Sequence, residues 1–288
     1  TFMTEDDALA LEKAVDKDTK VLIVGAGLIG LKCAEALHHL NADITVVDLA
    51  DRILPSILDV RAGEIMQKHI EDKGTKFILG TSVEQFSKNS AKLTNGETVD
   101  FDILVIAVGV RPNTELVSDA GGKVEKGIIT DLHQQTTIDN VYAAGDCTVS
   151  HDCSSNTDRI LALLPNAFMQ GEVAGKNMAG EETLYLNAIP MNAIGFYGLH
   201  IITAGSYDGD EDITEDADKE IYKKLVFKDG LLKGFILMGD VARAGIYTSM
   251  IKEQIPLTEV DLDLLRDKPQ MMMFGKARRE EKLAGKKH

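Results

Sequence analysis

The sequence predicts an α/β fold in three parts: a parallel, helix-covered front, an antiparallel meander set into it, and a small α+β end. Three observations carry this. Between Lys20 and Leu79, β-branched apolar runs of strand length alternate with stretches of helical spacing. Around Asn95-Gly96 the runs become short and alternating, and Asn-Gly is a strong hairpin turn. Beyond about Leu184, two strand-like runs flank Lys228-Asp229-Gly230, and a helical pattern follows.

In chain order, Thr4 and the acids Glu5, Asp6 and Asp7 open a first helix. Val21–Val24 is a strand, and apolar or small residues at Leu28, Leu31, Ala34, Leu37 and Leu40 make the next helix. Ile44–Val47 is a second strand, Leu49–Pro55 a loop, Asp59–Asp72 a helix stopped by Gly74, and Lys76–Leu79 a third strand. Right-handed crossovers then make these strands parallel. The meander occupies 81–86, 91–94 and 98–100. Phe101–Val108 is expected to be a fully buried strand. Gly127–Thr130 is a short strand, Thr136–Ile138 a possible one, and Val141–Asp146 a strand ending in glycine and acid. Val149–Arg159 is expected to be a polar loop, and Pro165–Met178 a helix in which Phe168, Met169, Val173 and Ala174 are apolar. Later, 201–204, 221–226 and 232–238 are strands and 241–254 a helix. Asp208–Asp218 is expected to be an exposed acidic loop, and Gly275–His288 a disordered basic tail.

Between the first two strands stand Gly25, Gly27 and Gly30, at the GxGxxG spacing, with Leu28 and Ile29 between them. Asp48 stands 18 positions beyond Gly30, at the end of the second strand. Glycines after a strand, at the mouth of a helix, with a later acid, form the context of a Rossmann-like dinucleotide site. Gly25 allows the tight turn, Gly27 lets backbone approach a pyrophosphate, and Gly30 lets helix and strand pack closely. The helix N-terminus presents unpaired N–H groups to phosphate. Asp48 can accept from both hydroxyls of an adenosine ribose and repels a 2′-phosphate, so NAD(H) is expected over NADP(H).

The 288 residues suffice for two domains. A formal charge of −15 argues against nucleic acid and against anionic membrane surfaces as partners. No apolar run reaches membrane-spanning length. Three cysteines are too few for a disulfide framework, which points to a reducing cytoplasm. Cys147, His151, Asp152 and Cys153 share a loop, but their spacing fits no standard zinc pattern, and no metal site is expected. Cys33 is expected to be a small buried apolar group, and Met271–Met273 to be packing. The chain opens Thr1-Phe2-Met3 and reaches its glycine motif at once, as expected of a piece of a longer protein.

Three motifs stand in order: Gly25-Ala26-Gly27-Leu28-Ile29-Gly30, Ala107-Val108-Gly109-Val110-Arg111-Pro112-Asn113, and Tyr142-Ala143-Ala144-Gly145-Asp146. In this the chain resembles the FAD-dependent pyridine nucleotide–disulfide oxidoreductases. Leu164-Pro165-Asn166-Ala167, with Gln170-Gly171-Glu172-Val173-Ala174-Gly175, is similar to the branch of rubredoxin reductases and of the flavoprotein part of assimilatory nitrite reductases. Lys223–Val226, Gly239-Asp240 and Ile246-Tyr247 are similar to that branch's C-terminal domain.

The resemblance implies an NAD(H)-binding domain at 1–108, the C-terminal part of a discontinuous FAD-binding domain at 109–183, and a dimerisation or partner domain at 184–288. A first GxGxxG for the FAD pyrophosphate belongs about a hundred residues upstream. It also implies that Gly25, Gly27, Leu28, Ile29 and Gly30 hold NAD, with Ile29 near the nicotinamide. By the same resemblance Asp48 holds the adenosine ribose, and Gly109 passes close to the bound nucleotide. Gly145 and Asp146 take a ribityl hydroxyl of FAD, and Ala167 aims its N–H at the flavin C2 carbonyl. Lys32 stands where many relatives carry Glu. The implied activity passes a hydride from NADH to FAD and electrons to rubredoxin, another redox protein or a small molecule, with no side chain as acid or base. The expected assembly is a homodimer or association with a missing N-terminal segment. The alternatives are a non-catalytic NAD(H)-binding module without flavin, or a structural remnant in a larger complex.

Overall fold

A computed structural model describes residues 2–284. The chain forms two compact units: residues up to Val110 with Ile194–His200, and Arg111–Ala193 with the residues from Ile201 on.

In the first unit, α1 (Glu5–Ala14) begins at a capping box: the Thr4 hydroxyl accepts from Asp7 N and the Asp7 carboxylate accepts from Thr4 N. Then follow β1 (Lys20–Val24), α2 (Leu28–His38), β2 (Asp43–Val47), α3 (Val60–Glu71) and β3 (Lys76–Ile78). The meander is β4 (Val83–Phe86), β5 (Ser90–Leu93) and β6 (Thr98–Asp100), and β7 (Ile103–Ile106) closes the unit. Strands β3-β2-β1-β7 form one parallel sheet, and β4-β5-β6 a separate antiparallel one. Leu22 and Val47 of the parallel sheet share a core with Ala91 and Leu93 of the meander and with Phe101, all buried. The fully buried strand expected at 101–108 is shorter and half-buried: β7 lies on a sheet edge, Val105 is its one buried residue, and Val108 is 70% exposed.

The second unit begins with α4 (Glu115–Ser118), β8 (Ile128–Ile129), β9 (Thr148–Asp152), β10 (Thr157–Ile160) and α5 (Leu164–Met178). Next come β11 (Met191–Phe196) and β12 (Leu199–Gly205), whose adjoining ends, Ile194–His200, count with the first unit, and then β13 (Asp210–Asp216), β14 (Ile221–Lys228), β15 (Leu231–Met238), α6 (Ala244–Lys252), α7 (Leu262–Asp267) and α8 (Lys276–Ala284). Strands β10-β9-β8 form one sheet and β11-β12-β15-β14-β13 another. Over the larger sheet, Phe235 and Tyr247 pack with ring centroids 5.4 Å apart. Tyr247 donates to Leu265 O (2.8 Å), and burial pushes its hydroxyl up to about 12.

Several expectations are corrected here. Val141–Asp146 is not a strand; it makes a single bridge, Gln135 to Tyr142. Thr136–Ile138 likewise shows only the bridge from Thr130 to Thr136. The expected loop 149–159 is the β9–β10 hairpin. Its inward side chains are Thr148, Ser150 and Asp152, so the pattern that marks a strand is polar where an apolar side was sought. The acidic loop is β13, paired with β14; Lys224 and Arg266 meet Glu211 and Asp212 at 2.5 and 2.6 Å and offset charge on the strand. The basic tail forms α8, tied down by Arg278 to Glu259 (2.7 Å) and Lys282 to Glu253 (2.8 Å); 285–288 lie outside the described residues. Of the apolar residues of α5, Phe168 is 73% exposed, whereas Val173 and Ala174 are buried. Among the described residues, no helix is long and apolar enough to cross a membrane.

Candidate functional site

Two glycine turns carry the residues singled out above, each wholly within one unit. The first links β1 to α2. Gly25 has φ +116° and donates to Val47 O (2.8 Å); a Cβ on it would stand 2.3 Å from Ala107 O. A Cβ on Gly30 would stand 2.0 Å from Gly25 O. These two glycines are required by packing. Gly27 differs: it is the N-cap of α2 at φ −84°, and a Cβ on it would meet nothing within 4 Å. The open space there belongs to a cleft of about 610 Å³, lined by Gly27, Ile29, Asp48, Ser82 and Gly109 among others. Ile29 is 44% exposed and Leu28 half-buried; Gly109 is exposed, at φ +96°.

Asp48 follows β2, and its carboxylate reaches back to the turn. One oxygen accepts from Ala26 N (2.6 Å), the other from Ala50 N (2.7 Å). Each oxygen keeps a second acceptor site for a hydroxyl in the cleft. Asp48 is therefore a brace of the glycine turn as well as a potential ligand, a role the sequence did not reveal. Ala26 is clamped from its other side, because its carbonyl accepts from Leu54 N (3.0 Å). Leu54 is fully buried in the left-handed region, φ +49°, and nothing in its residue type signals that conformation. Cys33, on α2, is 2% exposed, and burial pushes its thiol up to about 11.

The second turn is Gly145-Asp146. Gly145 has φ +90° and Asp146 is exposed. Gly145 N donates to Gln170 Oε1 (2.6 Å), and Gly145 O accepts from Thr148 N (3.0 Å) and Thr148 Oγ1 (2.8 Å). A Cβ on Gly145 would stand 3.7 Å from Ala167 Cβ, so the turn rests on the first turns of α5. Gly145 thus lies against Ala167, with Asp146 exposed at the next position. The amide role expected of Ala167 is corrected: its N–H donates to Leu163 O (3.0 Å), the first internal bond of the helix. The outward amides of an α-helix precede that bond; here they are those of Leu164 and Asn166, Pro165 having none. Sequence reasoning also gave Gln170 no role; its spacing of four from Asn166, also buried, was the available signal.

The first turn fits a dinucleotide diphosphate: bare backbone at a helix N-terminus, open space where a Cβ would fill the cradle, and a carboxylate with spare acceptor sites. The second fits a hydroxyl-bearing ligand beside the N-terminus of a 15-residue helix.

Comparison with known proteins gives the family and the fold. A family model described as pyridine nucleotide-disulphide oxidoreductase matches residues 1–171, and one described as rubredoxin NAD+ reductase C-terminal domain matches 190–255. The NADH-dependent phenylglyoxylate dehydrogenase subunit epsilon of Aromatoleum evansii is 33% identical over 266 residues, covering 88% of this chain and 63% of its own length. The rubredoxin-NAD(+) reductase of Acinetobacter baylyi is 30% identical over 257 residues, covering 86% and 62%. The chain thus spans less than two thirds of either relative. The covalent putidaredoxin reductase–putidaredoxin complex shares the fold: TM-score 0.83 at 21% identity, over 92% of this chain and 65% of that one. With its glycine turn, its later acid and its second glycine turn in the expected order, the chain belongs to the pyridine nucleotide-disulphide oxidoreductase family.

Proposed function

We propose that this chain carries the NADH-binding region and part of the FAD-binding region of a flavoprotein oxidoreductase that passes a hydride from NADH to FAD and electrons to a redox partner such as rubredoxin. The observation that carries it is the open space over Gly27 beside the Asp48 carboxylate. Residues 1–108 are the NAD(H) domain, 109–183 the C-terminal part of the FAD domain, and 184–288 a dimerisation or partner domain. The N-terminal amides of α2 take the diphosphate, Asp48 accepts from the ribose hydroxyls, and Ile29 and Gly109 line the path of the nicotinamide end. Gly145 shapes the turn that presents Asp146 to a ribityl hydroxyl of FAD, and the N-terminus of α5, beside Ala167, faces the flavin carbonyl where negative charge develops. FAD, when bound, supplies the acceptor for the two electrons and one proton of the hydride. The side chains bind and orient and move no proton in that step. The names of the relatives, an NADH-dependent dehydrogenase subunit and a rubredoxin reductase, support the nicotinamide and the redox partner.

The test is titration with NADH, NADPH and FAD, followed by nucleotide fluorescence and flavin absorbance. NADH binding well above NADPH, lost in Asp48→Ala, is expected, together with flavin bands that bleach on adding NADH. NADH binding without flavin and without turnover would leave only an NAD(H)-binding module. No binding of NADH would end the proposal.

A further inference from the structure

We propose that Gln170 is the positioning residue of the flavin site: it locks the Gly145–Asp146 turn onto α5, so that the Asp146 carboxylate and the helix N-terminus are presented to one ligand. This rests on the FAD assignment above.

The geometry is specific. Gln170 lies on α5, and its side chain is 1% exposed. Its Oε1 accepts from Gly145 N at 2.6 Å and lies 3.3 Å from Thr148 Oγ1, while its Nε2 donates to Ser150 Oγ. The carboxamide therefore ties one helix to both the turn and the strand β9 that follows it. One turn earlier on the same face, buried Asn166 donates to Ile189 O (3.0 Å) and accepts from Tyr185 OH (3.0 Å). That pair of bonds fixes the N-terminus of α5.

The chemistry follows from what Gln170 holds. Both polar groups of Gly145 are engaged, its N–H by Gln170 and its C=O by Thr148. A glycine at positive φ has the widest conformational freedom in the chain, so a turn built on it needs outside bonds to take one shape. Asp146, exposed at the next position, inherits its direction from that peptide. An exposed carboxylate with a fixed direction can meet a hydroxyl without first losing conformational entropy, and this preorganisation lowers the dissociation constant. Gln170 touches no ligand itself; it acts through Gly145.

A double-mutant cycle on FAD affinity, read by quenching of flavin fluorescence, tests this. Gln170→Leu removes the acceptor for Gly145 and should weaken FAD at least about tenfold, in the range of one buried hydrogen bond. Asp146→Ala should weaken it comparably. If Gln170 acts through the turn, the two changes are not additive, and Gln170→Leu in the Asp146→Ala background costs less than about threefold more. A merely structural role gives additive losses, which overturns the proposal. Gln170→Glu keeps the acceptor for Gly145 and should recover most of the affinity lost in Gln170→Leu, which also covers a Leu variant that folds poorly. A Glu variant as weak as the Leu variant overturns the proposal. Wild-type protein that binds FAD through Asp146, with Gln170→Leu equal to it, overturns this proposal alone. Wild-type protein that binds no FAD, alone or together with a segment that carries the expected upstream GxGxxG, overturns both this and the assignment it rests on.

Discussion

At Gly25–Gly30 the turn is shaped by contact: Gly25 and Gly30 sit where a Cβ would strike backbone at 2.3 and 2.0 Å, over an apolar sheet. At Gly145 a Cβ would meet only Ala167, at 3.7 Å, and the shape is imposed by Gln170 and Thr148. Both turns keep one backbone N–H on a side-chain oxygen, Asp48 in the first and Gln170 in the second. The first is built from close packing, with one polar brace added. The second is built from a polar network, with little packing to replace it. A turn of the first kind announces itself in residue types, because only glycine fits. A turn of the second kind depends on partners far along the chain.

The comparison can be broken at several points. Gly30→Val places side-chain atoms on Gly25 O and should cost about 3 kcal/mol or prevent folding; a urea midpoint close to wild type would show that the first turn is not contact-limited. Asp48→Ala leaves the Ala26 and Ala50 amides without their acceptor and should cost about 1.5–3 kcal/mol, with NADH affinity falling in parallel. Loss of affinity at full stability would mean that Asp48 is only a ligand and no brace. Gly27→Ala separates fold from binding. Its Cβ enters open space, so stability should fall only by about 0.5–1 kcal/mol, the cost of a poorer N-cap. NADH should nevertheless bind about tenfold more weakly, or 1.4 kcal/mol, and calorimetry beside thermal melts reads both.

The last effect probes the buried face of α2, the helix that the first turn opens. The Cys33 thiol ionises near 9.0 when unfolded and near 11 when buried. Its contribution is therefore complete below pH 9.0 and is lost as pH rises towards 11, by about 1 kcal/mol at pH 10. Urea midpoints at pH 8 and 10 should draw together in Cys33→Ala; an unchanged gap would place the alkaline loss elsewhere.

What could be read beforehand follows the same division. The β1–α2–β2 unit and the later hairpin were legible because their strands bury apolar residues, and the meander because Asn95-Gly96 marks a turn between short alternating runs. The β9–β10 hairpin was not, because Thr148, Ser150 and Asp152 point inward and look like a loop. Nor was β13, whose carboxylates are offset by Lys224 and Arg266. In the site, Gly25, Gly27, Gly30 and Asp48 were named from spacing and context, and Gly109, Gly145 and Asp146 from the family resemblance. The clamp of Leu54 on Ala26 and the bond of Gln170 to Gly145 were not.

The family, the α/β order of the first unit and several residues that line its cleft could be read from the chain alone, since glycine spacing and apolar periodicity are local and leave few alternatives. Which groups hold those residues still was settled by the folding of distant segments onto one another. Hydrogen bonds such as Asp48 to Ala26 and Gln170 to Gly145 join positions 22 and 25 residues apart, and their geometry exists only once the chain has closed those loops.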